Sequence, residues 1–466
     1  MEPLKGRDES MNQVVSPRRQ GKRTFLFLQG CTSPFFARLG DQLRAAGHAV
    51  YRINFNVGDA VYWWGRPAWQ FRGSVEQLPA YLQHKFEQYG FTDLVVLGDT
   101  RPLHAPALAL AERFGARAHV LEEGYFRPNW LTLERGGING YSRLPKDPDW
   151  FRQAAKLVPN YGDSEAVPNP VRLLALHELG YHLPNLLNPL LYKGYRTHRP
   201  HISGIEFYGW ATRFARMPLY ERKDAVNIER LLRHQTPYYL FPLQLNSDSQ
   251  IRHHSGSRGV PFLVKRVINS FFRHAPADAH LVIKNHPLDT GLIDYRHWIG
   301  RLERRLKLHG RILYLESGHL PTLLDNTRGV VTINSSVGTS AFVHGCPTIA
   351  IGDAIYDMEG LTFQGSLDQF WTNLVPPDRA LYRDFRNTVI HCTQINGGFY
   401  TRQGIALGVQ HCVERMSEDH SRLDQLLWQT HGMANVCATP IIPASPATAE
   451  LALQAVDPPA DLVPAN

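Results

Sequence analysis

The chain has 466 residues, of which 43% are hydrophobic and 20% charged, the balance of a soluble globular protein too long for one ordinary core. Its formal net charge of +8 suits an anionic small molecule, an anionic lipid surface or nucleic acid, but it carries no aromatic and basic motif of a nucleic-acid module. No run of about eighteen apolar residues occurs, which excludes an ordinary spanning helix. The scattered Cys31, Cys346, Cys392, Cys412 and Cys437 lack metal or disulfide spacing, as expected for a reducing cytoplasm.

Met1 to Lys22 is polar and charged and reads as a disordered leader, neither signal peptide nor anchor. From Thr24 short apolar strands alternate with helices. The expected elements are a strand at Thr24 to Gly30, a helix at Pro34 to Ala46, a strand at Ala49 to Phe55, a helix near Leu78 to Tyr89, a strand at Asp93 to Gly98, a helix at Ala105 to Phe114 and a strand at Arg117 to Leu121. That alternation predicts a parallel doubly wound sheet. Its strand-end loops, Gln29 to Ser33, Asn54 to Asn56, Gly98 to Arg101 and Glu122 to Pro128, should share one rim.

Val171 to His201 is Leu-rich, carries Pro184 and Pro189, and ends in Lys193, Arg196, His198 and Arg199. It reads either as a broken helical connection packed between domains or as an interfacial element with Leu and Tyr toward a bilayer and basic residues toward anionic lipid. A second alternating run extends from Tyr238 to Gly352, with helices at Val260 to Arg273, Tyr295 to Leu308, Leu320 to Asn326 and Val337 to His344. Helices near Ala380 to Asn387 and Ile405 to Met416 should close the fold, and the Pro- and Ala-rich end reads as a flexible tail. The predicted architecture is α/β and GT-B-like, two Rossmann-like domains with parallel sheets facing a central cleft. Its divisions are a leader at 1–22, an acceptor domain at 23–170, a helical segment at 171–236, a donor domain at 237–432 and a tail at 433–466.

Three stretches carry candidate chemistry. A strand ends in Lys284-Asn285-His286-Pro287, and one βα unit later an apolar strand runs into Ser335-Ser336-Val337-Gly338-Thr339. Hydroxyls and free backbone N–H groups at such a helix start suit phosphate. His286 and Lys284 could balance charge on a phosphate leaving group. Glu122 and Glu123 form a pair at a rim, where one carboxyl could act as general base. Arg127 could bind an acceptor phosphate or carboxylate. Asp248, in the stretch Gln244 to Gln250 after the first strand of the second domain, is the carboxylate best placed to reach an anomeric carbon.

The stretches FLQGCTSPFFARLGDQLRAAGHAVYRINFNVGDAVYW, GDTRPLH, LEEGYFRPNWLTLERGGINGYS, PLQLNSDSQI, IKNHP and NSSVGTSAFVHGCPTIAIG resemble, in this order, the capsule polysaccharide biosynthesis proteins of Gram-negative bacteria. They are most similar to the KpsS/LipB-like β-Kdo transferases. The likeness spans Thr24 to Met416, with Asn285 standing where proline precedes the His-Pro motif. It implies a CMP-Kdo donor, a phosphatidylglycerol-type lipid acceptor at the inner membrane, no cofactor or metal, and a retained β configuration. The implied roles are Asp248 as nucleophile, His286 as stabiliser of the leaving cytidylate, and Glu123 or Glu122 as base. Lys284, Pro287, Ser335, Ser336, Val337, Gly338, Thr339, Gln244, Ser249 and Glu316 would hold the donor; Arg127, Asn56, Asp99 and Arg101 would hold the acceptor. Asp99 and Glu316 are the substitute carboxylates. The alternatives are a non-catalytic capsule assembly or export factor and a sugar-nucleotide epimerase, between which the fold does not discriminate.

Overall fold

The computed structural model describes residues 21–162, 164–168, 170–196, 203–245, 259–308 and 310–431. In the first domain β1 (Thr24–Phe27), β2 (Ala49–Asn54), β3 (Trp69–Gln70), β4 (Asp93–Leu97), β5 (Arg117–Glu123) and β6 (Trp130–Arg135) alternate with α1 (Phe35–Ala45), α2 (Val57–Tyr62), α3 (Leu78–Tyr89) and α4 (Ala105–Arg113), and α5 (Pro148–Ala154) follows. The spatial order 3-2-1-4-5 is that of a doubly wound sheet, with β1, β2, β4 and β5 parallel. Their carboxyl ends therefore share a rim, and the crevice lies between β1 and β4, where the winding reverses. The central strand β4 is buried along its whole length, the mark of a parallel strand covered on both faces.

Four short elements of this domain escaped the sequence reading. α2 is a six-residue helix, β3 has two residues, β6 is antiparallel to β5, and α5 has seven residues. None carries a periodic pattern long enough to read without its partner.

A linking region follows: α6 (Val171–His182), a 3-10 turn at Pro184–Leu187, α7 (Asn188–Leu191) and α8 (Ser203–Arg233). The second domain contains β7 (Tyr238–Pro242), α9 (Val260–His274), β8 (His280–Lys284), α10 (Tyr295–Arg305), β9 (Ile312–Leu315), α11 (Leu320–Asp325), β10 (Gly329–Thr332), α12 (Val337–Val343) and β11 (Thr348–Ala350). Its five strands are all parallel in the order β11-β10-β7-β8-β9, the same winding, with the crevice between β7 and β10. Two doubly wound domains make the fold α/β and GT-B-like.

The closing segment departs from the expected division. After α13 (Leu367–Phe370) and α14 (Arg379–Thr393), β12 (Gln394–Asn396) pairs antiparallel with β6 and so extends the first sheet. Then α15 (Arg402–Ser417) packs on the first domain through Ile405, Val409, Cys412 and Met416, and α16 (Arg422–His431) follows. Residues assigned by sequence to the donor domain 237–432 thus complete the first domain's sheet. The outer edge of β6 is hydrogen-bonded by β12 instead of being left open. Tyr125 of the first domain shares one hydrophobic cluster with Phe342 and Tyr356 of the second, which holds the two rims together. The predicted tail, and all of the predicted leader but its last two residues, lie outside the described residues.

Candidate functional site

His286 follows β8, and its loop is fastened from behind by α8. The buried Arg213 guanidinium donates through Nη1 to the carbonyls of Pro287 at 2.8 Å and Asp289 at 2.9 Å, and through Nη2 to that of His286 at 3.2 Å. Its Nε and Nη2 each reach Glu316 at 3.3 Å, so every guanidinium hydrogen is engaged. Trp210, one turn earlier, donates to Leu288 O at 3.2 Å. Asn285 accepts from His286 N at 2.8 Å and donates to Glu316 at 3.0 Å, which gives the residue before the His-Pro motif its task.

The His286 ring is oriented by its own loop. Leu288 N donates to Nδ1 at 3.1 Å, so the neutral imidazole carries its proton on Nε2. Burial, then the positive charges of Arg127, Lys284 and Arg213, push its pKa down to about 4. An imidazole beside cations from both domains and from α8 is neutral at physiological pH and sits in a locally positive field. That is an environment completed by a phosphate. Lys284 is 9% exposed, reaches Asn285 O at 3.3 Å, and is itself shifted down by burial and by Arg213.

Across the second domain's crevice, Gln244 donates to Asn334 Oδ1 at 2.9 Å and accepts from Asn334 N at 3.3 Å. Gln244 thus joins the β7 and β10 loops beside any donor. Ser335 Oγ accepts from Val337 N at 3.2 Å, while Ser336 occupies the N-cap position of α12 without a side-chain capping bond. Gly338 is required by close approach: a Cβ there would lie 2.4 Å from the Tyr356 hydroxyl, which donates to Ser335 O at 2.6 Å. Thr339 turns away from the donor side, donating to Ser336 O at 2.7 Å and, across the domain boundary, to Tyr125 O at 3.3 Å.

Glu122 and Glu123 end β5 on the opposite rim. Gly124 is dictated by the turn into β6, since a Cβ there would sit 2.2 Å from Trp130 O. Gly98, at φ +72°, ends β4 in the left-handed region and leaves 3.3 Å to Glu122 Oε2 for any added Cβ. Burial pushes the Glu123 carboxyl up against the opposing pull of Arg127, the residue whose charge also reaches His286. Glu123 lines a crevice with Val167, Phe399, Tyr400 and Thr401, so the returning C-terminal segment walls the acidic rim. Arg101 donates to Gln29 at 3.3 Å across the first domain's crevice.

Several expected ligands have other tasks. Asn56 is fully buried, caps α2 by accepting from Asp59 N at 2.8 Å, and donates to Tyr181 at 2.9 Å; it is a structural residue, not an acceptor ligand. Glu316 accepts from Arg213 at 3.3 Å and from Asn285 at 3.0 Å and so helps position the His286 loop. Asp99 is 4% exposed and accepts from Ile138 N at 2.9 Å, which directs it into the protein. Asp248 and Ser249 lie outside the described residues. Sequence reading missed Arg213, whose only sequence signal was an arginine in a helical stretch, and the wall at Tyr400, which belongs to a segment assigned to the other domain. Among the described residues no group of three or more His, Cys, Asp or Glu could hold a metal ion.

Two predictions follow from this packing. Burial raises the Asp99 pKa to about 6, against roughly 3.9 unfolded, so the native state binds the extra proton. Ionising Asp99 therefore costs about 3 kcal/mol, in full above about pH 6 and relieved as pH falls toward 4. Asp99→Asn should accordingly raise unfolding free energy at pH 8 and leave it little changed at pH 4. Denaturant titrations at the two pH values that give the same difference would refute this. Arg213→Ala takes the guanidinium from Glu316 and leaves the Pro287 and Asp289 carbonyls without their donor, and should cost about 3–5 kcal/mol in denaturant unfolding. Arg213→Lys should recover little of it, because an ammonium cannot reproduce the planar fork.

A model of the family described as "Capsule polysaccharide biosynthesis protein" matches residues 92–400. The chain is 36% identical to the capsule polysaccharide export protein KpsS of Escherichia coli over 381 residues, 82% of this chain and 97% of that one. It is 35% identical to the capsule polysaccharide modification protein LipB of Neisseria meningitidis serogroup B over 392 residues, 82% and 93% of the two chains. Among solved structures it is similar to the β-Kdo 2,7 transferase of KpsC from Thermosulfurimonas dismutans, at 13% identity and a TM-score of 0.42, covering 84% of this chain and 99% of that one. With its two doubly wound domains and these relatives along most of its length, the chain belongs to the capsule polysaccharide biosynthesis protein family.

Proposed function

We propose that the protein is a retaining glycosyltransferase that moves β-Kdo from CMP-Kdo to a phosphatidylglycerol-type lipid at the inner membrane and so starts a capsule glycolipid primer. The observation that carries this reading is the cationic surround of His286. Burial, and then Arg127, Lys284 and Arg213, depress its pKa, while the Nε2 proton fixed by Leu288 N remains available to a phosphate oxygen. Across the cleft stands Glu123, a carboxyl biased toward holding a proton.

In the first step the Asp248 carboxylate bonds to the anomeric carbon, and the bond to the cytidylate oxygen breaks with its electron pair leaving on the phosphate. His286, Lys284 and Arg127 stabilise that growing charge, and the Ser335 and Ser336 hydroxyls hold the remaining oxygens. In the second step the lipid hydroxyl attacks the anomeric carbon, Glu123 or Glu122 takes its proton, and the Asp248 carboxylate departs. Two inversions return the original configuration. Fixed protein charge suffices for the leaving group, so the scheme assigns no task to a metal.

The test is incubation of the full chain with CMP-Kdo and phosphatidylglycerol. Mass spectrometry should find a lipid heavier by one or more Kdo residues, with equivalent CMP released. Turnover of the sugar nucleotide without acceptor would favour the epimerase alternative, and no CMP release with lipid present would favour an assembly or export factor.

A further inference from the structure

The segment 171–191 is turned inside out for a water-exposed element. Its polar side chains point into the protein. Tyr181 OH donates to Asp59 at 2.9 Å and accepts from Gln29 at 3.0 Å and Asn56 at 2.9 Å. Glu178 accepts from Thr32 at 2.7 Å, and Asn185 and Asn188 accept from Gly58 N at 2.8 Å and Val57 N at 2.9 Å. The opposite face is leucine: Leu176, Leu179, Leu183, Leu186, Leu190 and their neighbours Leu187 and Leu191 are 45–73% exposed. The i, i+3, i+7 spacing of the first three puts them on one side of α6 and its continuation. On α2 and just beyond it, the helix that receives Asn185 and Asn188, Val61 and Trp64 are also exposed, at 41% and 80%. A contiguous aliphatic surface of this kind marks an interaction site.

The charges around it choose the partner. Between 171 and 196 the one acid, Glu178, is engaged inward, whereas Arg172, Lys193 and Arg196 are exposed. A second copy docking by the same face would oppose cation to cation. Protein interface cores are rich in Tyr, Trp and Arg, with leucine scarce among their hot spots. Leucine with a cationic border is instead the composition of a helix lying in a lipid interface. No helix among the described residues is long and apolar enough to cross a membrane.

We propose that the leucine face of residues 171–191 seats the protein on an anionic phospholipid monolayer, with Arg172, Lys193 and Arg196 at the headgroups. The proposal deepens the lipid-acceptor reading above and rests on it. The segment is bonded to the β1 and β2 loops at Thr32, Gln29 and Asn56, the same rim that carries Glu122 and Glu123, so the docked surface would bring lipid hydroxyls to the acceptor side of the cleft.

The test is co-sedimentation of the full chain with vesicles of phosphatidylcholine alone or mixed with phosphatidylglycerol. Wild type should bind the mixed vesicles, less so as salt rises. The quadruple variant Leu179→Gln, Leu183→Gln, Leu186→Gln, Leu190→Gln should bind at least about tenfold more weakly, with an unchanged thermal midpoint because these leucines are exposed. The triple variant Arg172→Gln, Lys193→Gln, Arg196→Gln should lose the preference for phosphatidylglycerol. Absence of wild-type binding, or equal binding by the quadruple variant, overturns the proposal. So does a wild-type dimer in sedimentation equilibrium that the leucine changes split into monomers. Transfer to a short-chain, detergent-dispersed phosphatidylglycerol separates the two readings. A quadruple variant that keeps this activity and loses vesicle binding supports the surface, whereas a vesicle-binding wild type that transfers nothing overturns the catalytic reading alone.

Discussion

His286→Ala should lower Kdo transfer by about 10²–10⁴-fold, the range of a lost charge-stabilising or proton-transferring group, while leaving the thermal midpoint within a few degrees. The imidazole is half-buried and the bonds that shape its loop come from Arg213, Asn285 and Trp210, so truncation removes the Nε2 donor and frees only the Leu288 N–H, with the rest of the loop still held. His286→Gln separates the two ways the ring could act. A side-chain amide still offers an N–H to the phosphate but transfers no proton at neutral pH. Substantial recovery in the glutamine variant assigns the ring to hydrogen bonding; a loss equal to that of alanine assigns it to proton transfer. Wild-type rates in His286→Ala would remove the ring from the mechanism.

The departing anion should also act on the ring. In the free protein burial, and then the surrounding cations, hold its pKa at about 4. Bound CMP places negative charge beside the ring, so the pKa should rise on binding, which an NMR titration of the ring protons with and without CMP would detect.

Asp248→Ala should reduce transfer by about 10⁴-fold or more, the scale on which loss of a covalent nucleophile is felt. The residue lies four positions after Gln244 in the chain, and Gln244 is fixed to Asn334 across the second domain's crevice. The decisive readout is not rate but covalency. Wild type mixed with CMP-Kdo in the absence of lipid and quenched in acid should gain the mass of one sugar residue, and Asp248→Ala should gain none. An adduct that survives in the variant would move the nucleophile to another carboxylate. Glu316 and Asp99 are poor substitutes, since one is bound to Arg213 and the other is buried against Ile138 N.

The sequence by itself determined the alternation of strands and helices, and with it two doubly wound sheets, because parallel strands covered on both faces must be apolar runs bounded by turn residues. It likewise put its candidate loops at strand ends, where ligands of such sheets collect. The Lys284-to-Pro287 loop, the Ser335 helix start and Glu122-Glu123-Gly124 were legible for that reason. Only the tertiary structure decided what each side chain does there. Asn56 and Glu316 look like ligands in the chain because a polar residue at a strand end has the same appearance whether it faces a cleft or caps a helix. Arg213 was invisible because its five hydrogen bonds reach residues 73 or more positions away. The return of Gln394–Asn396 to the first sheet rests on one short antiparallel pairing, a contact between residues some 260 positions apart that no local periodicity encodes. The leucine face of 171–191 needed both sources: the chain supplied the leucines, and the inward bonding of Tyr181, Glu178, Asn185 and Asn188 turned them toward the outside.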